Sequence, residues 1–231
     1  MSLISKIPKS SKLSNPSKPD ETSKTQKRLV LCVTGPMAAG KNAASSVLEE
    51  KGFLCIDADE SVHDIVETQK DKIVARFGKI AEERGIKICK PDGTIDRRAL
   101  GSIVFSDPEL LKAQEAIIHP AVEAAFNELI DGNPGKNIVL NATVLYKTSL
   151  LNRCDAVIFV TAPLLVRFFR AKKRDNMSTT QILSRFYSQR KIFAKYKNLK
   201  ADIYRVSNAG SKQNLIKKLD SVLCKIHAES D

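Results

Sequence analysis

Residues 29–41, LVLCVTGPMAAGK, place the tightest limit on what this chain can become. Five apolar residues, Leu29 to Val33, run into Thr34, and Gly35 then opens a spacing of glycine, four residues, Gly40 and Lys41. A short apolar run ending in that spacing, with a helix-permissive run at 43–51 behind it, predicts a buried strand, a tight loop and a helix. Glycines let successive backbone N–H groups turn inward around an anion, and the helix adds its unpaired N-terminal N–H groups. A lysine in this place reaches the outer phosphates. Gly35, Pro36, Met37, Ala38, Ala39, Gly40, Lys41, Asn42 and Ala43 are therefore the expected cradle of a nucleoside triphosphate such as ATP, against the plainer reading of a structural turn.

Asn42 is off the usual pattern, because a Ser or Thr hydroxyl normally follows the lysine and ligates Mg²⁺. An amide oxygen is also a hard ligand, so Asn42 is the expected metal contact, directly or through a water.

Size and charge narrow the class. The 231 residues, 42% hydrophobic, suit one globular domain with a helical insertion. No stretch has the apolar length of a bilayer span. Five cysteines, at 32, 55, 89, 154 and 224, are scattered and odd in number, which suggests small buried hydrophobes in a reducing, cytoplasmic setting and gives a zinc site little support. The net charge is +12, of which residues 1–27 contribute +4. Positive charge steers polyphosphate substrates. The chain has no run of aromatics interleaved with Lys and Arg to stack bases, so steering is preferred to nucleic-acid binding.

Residues 1–27, rich in Ser, Lys and Pro, read as a flexible basic extension without the apolar core of a secretory signal. Phe53 to Ile56 is a short strand with Asp57 and Asp59 at its C-terminal end, the edge where open parallel sheets bind ligands. Strand alternation would point both carboxylates to one side, for a magnesium contact and a proton acceptor, while the plainer reading has Asp59 capping a helix over 61–67. Residues 61–130 form a helical excursion too long for a simple crossover, with breaks expected at Gly78 and Gly85 and a kink or a boundary at His119-Pro120 within a helix over 108–130. Such an insertion is a candidate wall for a second-substrate cleft.

Two continuously apolar runs, 137–142 and 155–160, read as central strands, with a short helical turn at Leu150 and Leu151 between them. Segment 163–190 is the most basic part of the folded chain. Arg167, Arg170 and Arg174 recur at helical spacing, a break follows at 175–178, and the helix resumes with Arg185 and Arg190. These are either a solvated face or a lid whose guanidinium forks close over phosphates. A last strand and turn over 201–211 place Asn208 and Gly210 either against a purine ring or in ordinary turn chemistry, and a helix from Lys212 to about Ile226 closes the chain. The expected fold is α/β: a three-layer P-loop kinase fold with a central parallel sheet, a helical substrate-binding insertion and a helical lid.

TGPMAAGK (34–41), IDADE (56–60), FG (77–78), DGTIDRRALGSIVF (92–105), IIHPAV (117–122), RAKKRDN, Gln189, Ala201-Asp202 and SNAG together resemble the dephospho-coenzyme A kinase family across about 29–224. The resemblance implies transfer of the ATP γ-phosphoryl to the ribose 3′-hydroxyl of dephospho-coenzyme A, with Mg²⁺. It implies a base or hydroxyl-orienting role for Asp59 paired with Asp57, substrate-side roles for Arg97 and His119, lid roles for Arg170 and Arg174, and an adenine loop at Asn208 and Gly210. Residues 28–231 would then be one kinase domain, with a coenzyme-substrate region at 61–130 and a lid at 163–200.

The chain departs from the family's pattern at Asn42 and after the 137–142 strand. There an Asp, one residue, Pro, Leu, Leu, Phe, Glu run is usual, and here NATVLYK (141–147) stands in its place. Rival readings are another small-metabolite kinase or a nucleotide-binding module without turnover.

Overall fold

A strand that is apolar at every position must be covered on both faces, because its side chains alternate. The computed structural model, which describes residues 28–175, 177–197 and 201–230, bears this out. Val30 and Cys32 enter one apolar layer, and Leu29, Leu31 and Val33 enter the other.

In chain order the elements are β1 (Val30–Thr34), α1 (Lys41–Glu50), β2 (Leu54–Asp57), α2 (Ala58–Thr68), α3 (Lys70–Glu83), α4 (Arg97–Val104), α5 (Pro108–Asp131), β3 (Ile138–Asn141), β4 (Ala156–Thr161), α6 (Leu164–Asp175), α7 (Thr179–Ser188), α8 (Ile192–Lys197), β5 (Ile203–Ser207) and α9 (Lys212–Ser230). The sheet order is β2-β3-β1-β4-β5 with all pairs parallel, so Cys32 lies between Leu140 and Val157. Helices α1 and α9 cover one face through Ala44, Val47, Leu48, Leu215, Leu219 and Val222. Helices α2 to α5, with α8, cover the other through residues such as Ile65, Phe77, Ile103, Phe126 and Tyr196. The expected three-layer architecture is present.

Helices α6 and α7 stand apart from both layers. Ala171, Ile182 and Phe186 pack with Met37 of the phosphate loop as a third, small apolar cluster. A capping box at Ser178 and Gln181 starts α7. The last part of the expected lid region behaves differently, because Ile192 and Tyr196 of α8 join the sheet-side core.

Three local expectations are corrected. The helix after β2 starts at Ala58, because the Asp57 carboxylate accepts from Glu60 N at 3.1 Å and caps it; Asp59 is thus a first-turn helix residue and neither a strand residue nor the cap. Gly78 does not break α3, where buried Ile73, Phe77 and Ala81 recur every four residues and outweigh the cost of one helical glycine, about 1 kcal/mol. Pro120 does not end α5, which runs for 24 residues. Pro120 and Ala116, whose carbonyl loses its donor, are both exposed to water. Residues 1–27 lie outside the described residues, as do 176 and 198–200 within the expected lid region.

Candidate active site

The site grows from the carboxyl ends of the strands. Beyond β1, Gly35 opens the phosphate loop at φ 149°, where a Cβ would stand 2.2 Å from the Val160 carbonyl oxygen of β4. Only glycine lets the loop start so close to the neighbouring strand. Gly40 closes it at φ 99° as the N-cap of α1, with no side chain satisfying the helix's first N–H groups. Those donors are left for an anion.

The loop is gripped from outside by later parts of the chain. Gln189 Oε1 accepts from Met37 N at 2.6 Å, and Arg167 Nε donates to the Met37 carbonyl at 2.8 Å. Arg167 also lies 4.3 Å from the Phe186 ring centroid, and burial lowers its affinity for a proton. Arg170 and the buried Asn208 both donate to the Ala39 carbonyl, at 3.5 and 3.1 Å. The nucleotide cradle thus includes α6, the end of α7 and the turn after β5.

Lys41 is half-buried, and its Nζ donates to Thr143 Oγ1 at 2.9 Å. Thr143 Oγ1 donates onward to Asp59 Oδ2 at 2.8 Å, and Thr143 N donates to Asp59 Oδ1 at 3.3 Å. Burial pushes the Lys41 ammonium below its usual range, while the Asp59 and Asp57 carboxylates pull it back up. At the end of β3, Asn141 Nδ2 donates to Asn42 Oδ1 at 3.0 Å and to Asp57 Oδ2 at 3.2 Å. Asn141 is 4% exposed and its Oδ1 has no protein partner. That orphaned oxygen, the exposed Asn42 amide and the Asp57 carboxylate form a hard-oxygen donor set, which suits a magnesium ion and its waters. Among the described residues no cluster of three or more His, Cys, Asp or Glu gathers elsewhere to hold a metal.

Two cavities meet at this loop. One of about 840 Å³ is lined by Gly40, Asn42, Ala43, Arg170, Asn208 and Gly210, with Ser46, Lys173, Lys212 and Leu215 beside them. The other, about 240 Å³, is lined by Pro36, Met37, Lys41, Asp59, Thr143, Arg185 and Gln189. Ala38, Gly40, Asn42 and Arg174 line both. The first has the size of a nucleotide site, and the second places a lysine and a carboxylate where a terminal phosphate would lie.

Most residues expected from the sequence therefore converge here. Arg97, exposed at the start of α4, and His119, half-buried in α5, line neither cavity. Thr143, Asn141 and Tyr196 were assigned no role from sequence, and Arg167 was read only as part of the basic helix face, not as a grip on the phosphate loop. Thr143 and Asn141 stood out only as departures from a pattern, and nothing local signals the reach of Tyr196 to the Thr143 carbonyl at 3.3 Å. Another departure, Lys147, is paired with Glu115 of α5.

A strand, anion loop and helix at the carboxyl edge of a parallel sheet, facing an acid and basic helices, define a P-loop kinase. The family model described as Dephospho-CoA kinase matches residues 29–213, and the chain belongs to that family. It is 39% identical over 195 residues to the dephospho-CoA kinase of Treponema denticola, covering 83% of this chain and 87% of that protein. The dephospho-CoA kinase of Treponema pallidum is also 39% identical, over 194 residues, with 83% and 92% covered. Among solved structures, a Thermus thermophilus protein superposes with a TM-score of 0.71 at 28% identity, over 86% of this chain and 98% of its own. The dephospho-CoA kinase of Campylobacter jejuni shares the fold, with a TM-score of 0.63 at 24% identity over 87% and 98%.

Proposed function

We propose that the chain transfers the γ-phosphoryl group of ATP to the ribose 3′-hydroxyl of dephospho-CoA, giving CoA and ADP. The observation that carries this reading is the smaller cavity, where Lys41 of the phosphate loop and Asp59 line one space that shares Ala38, Gly40, Asn42 and Arg174 with the nucleotide cavity. The base and ribose of ATP lie in the larger cavity beside Asn208 and Gly210. The loop N–H groups and Lys41 hold the β- and γ-phosphates, and Arg170 and Arg174 offset charge on the moving group. Asp59 accepts the proton of the attacking hydroxyl or orients it, and Asp57 stands beside it.

Asn42, Asp57 and Asn141 would hold Mg²⁺ or its waters; when bound, the ion neutralises charge between the β- and γ-phosphates. Region 61–130, including Arg97 and His119, forms the coenzyme side, and α6 and α7, the part of 163–200 that packs apart from the core, form the lid. No described helix is long and apolar enough to cross a membrane.

The test is ATP consumption by the purified chain with dephospho-CoA as acceptor, beside a nucleoside and a sugar at equal concentration. Turnover confined to dephospho-CoA, with a product one phosphoryl group heavier, supports the reading. ATP binding without transfer to dephospho-CoA overturns it.

A further inference from the structure

We propose that Thr143 is a positioning residue of the transfer step, its hydroxyl bridging the Asp59 carboxylate to the ammonium of Lys41. This rests on the kinase reading above and adds a residue to it.

The donor and acceptor inventory fixes the direction of each bond. An ammonium has only donors and an ionised carboxylate only acceptors, so the hydroxyl between them must accept from Lys41 and give its single proton to Asp59. The observed distances are 2.9 Å and 2.8 Å. The backbone N–H of Thr143 reaches the other carboxylate oxygen at 3.3 Å, so one residue grips both oxygens of Asp59. Asp59 is exposed on the first turn of α2, and among the described residues its carboxylate takes its hydrogen bonds from Thr143. A side chain with that freedom would sample several rotamers if Thr143 did not hold it.

Thr143 is itself anchored. Its carbonyl accepts from Thr34 Oγ1 at the end of β1, at 3.4 Å, and from Tyr196 OH of α8, at 3.3 Å. Thr34 and Tyr196 are fully buried. The anchor uses the backbone and the grip on Asp59 Oδ2 uses the side chain, so the two can be separated by substitution. Lys41 keeps two N–H donors for phosphate oxygens while the third rests on Thr143. The arrangement therefore orients the acid without drawing the lysine away from ATP.

The test compares the parent with Thr143→Val and Thr143→Ser. Valine keeps the shape, the N–H and the anchored carbonyl, and removes only the hydroxyl. In Thr143→Val, kcat is expected to fall about ten- to hundredfold, as misplaced reacting groups do, with KM for ATP within about threefold of the parent. Thr143→Ser restores the hydroxyl and is expected to recover kcat to within about threefold. A thermal melt of each variant confirms that all are folded. If kcat of Thr143→Val stays within about twofold of the parent, or if serine recovers nothing, the positioning role is wrong while the kinase reading stands. A parent that does not phosphorylate dephospho-CoA overturns the kinase reading and this role together.

Discussion

Asn141 donates to Asn42 at 3.0 Å, so the residue following the loop lysine is tied to the end of β3 by a pair of amides. The same nitrogen serves Asp57 at 3.2 Å. Asn141→Leu would leave both acceptors without this donor at a nearly fully buried position. The expected cost is about 1–3 kcal/mol, read as a lower urea midpoint with an unchanged m-value. Asn42→Ser is milder, because Asn42 is exposed and Asn141 keeps Asp57: less than about 1 kcal/mol by the same measurement.

Asp59→Asn keeps the shape of the acid and removes its charge. As the expected proton acceptor, its loss should lower kcat by about 10²–10⁴-fold, read in a single-turnover experiment. ATP affinity, read by calorimetry, should stay within about threefold, because the phosphate loop is gripped by Gln189, Arg167, Arg170 and Asn208 and not by Asp59. A matched loss of ATP binding would contradict the separation of the two roles.

Gly40→Ala places a Cβ 1.9 Å from Asn208 Nδ2 at a backbone φ of 99°. The left-handed conformation alone costs an alanine about 1–2 kcal/mol. Asn208 must also give up its bond to the Ala39 carbonyl, which loosens the loop on the base side. ATP affinity is expected to drop at least about tenfold, by equilibrium titration, with the far-UV circular dichroism spectrum unchanged.

Burial pushes the Cys55 and Cys154 thiols up to about 12, from 9.0. Between those values the unfolded chain has lost the thiol protons that the folded chain keeps, so stability falls as pH rises through the window. The contribution is complete below pH 9 and lost by about pH 12. Lys41, lowered by burial, acts in the opposite sense. Cys154→Ala should therefore flatten the fall of Tm between about pH 9 and 11 relative to the parent. In the native protein, iodoacetamide should label exposed Cys224 well before buried Cys32.

How much of this was legible in the sequence follows from the range of the interaction. The phosphate loop, β3 and β4 announce themselves because apolar runs and glycine spacing are local, and their placement was right to within a residue or two. Asp59 was placed on a strand end because alternation was carried two residues past the end of β2. The capping bond from Glu60 N to Asp57 ends the strand there; a cap by one of the two carboxylates was the plainer reading, with Asp59 named for a helix starting at Ser61. The expected break at Gly78 and the boundary allowed for at Pro120 do not occur, because tertiary packing and solvent access decide whether a helix tolerates such residues. Arg167, Gln189 and Asn208 meet the loop across 130, 152 and 169 positions, a proximity that no local window contains. Thr143 was visible only as a residue out of pattern, since its five polar contacts all come from elsewhere in the chain.

The central position of β1 also has a consequence in time. Among the described residues it is the first strand in chain order, yet both of its neighbours, β3 and β4, come much later. Leu29 waits 108 residues for its partner Asn137, roughly 5–20 s at the usual pace of synthesis. Throughout that interval the nascent chain carries a bare apolar strand with two open edges, the kind of segment that holding chaperones shield. Newly made protein, more than the finished fold, is where this sequence is exposed to aggregation.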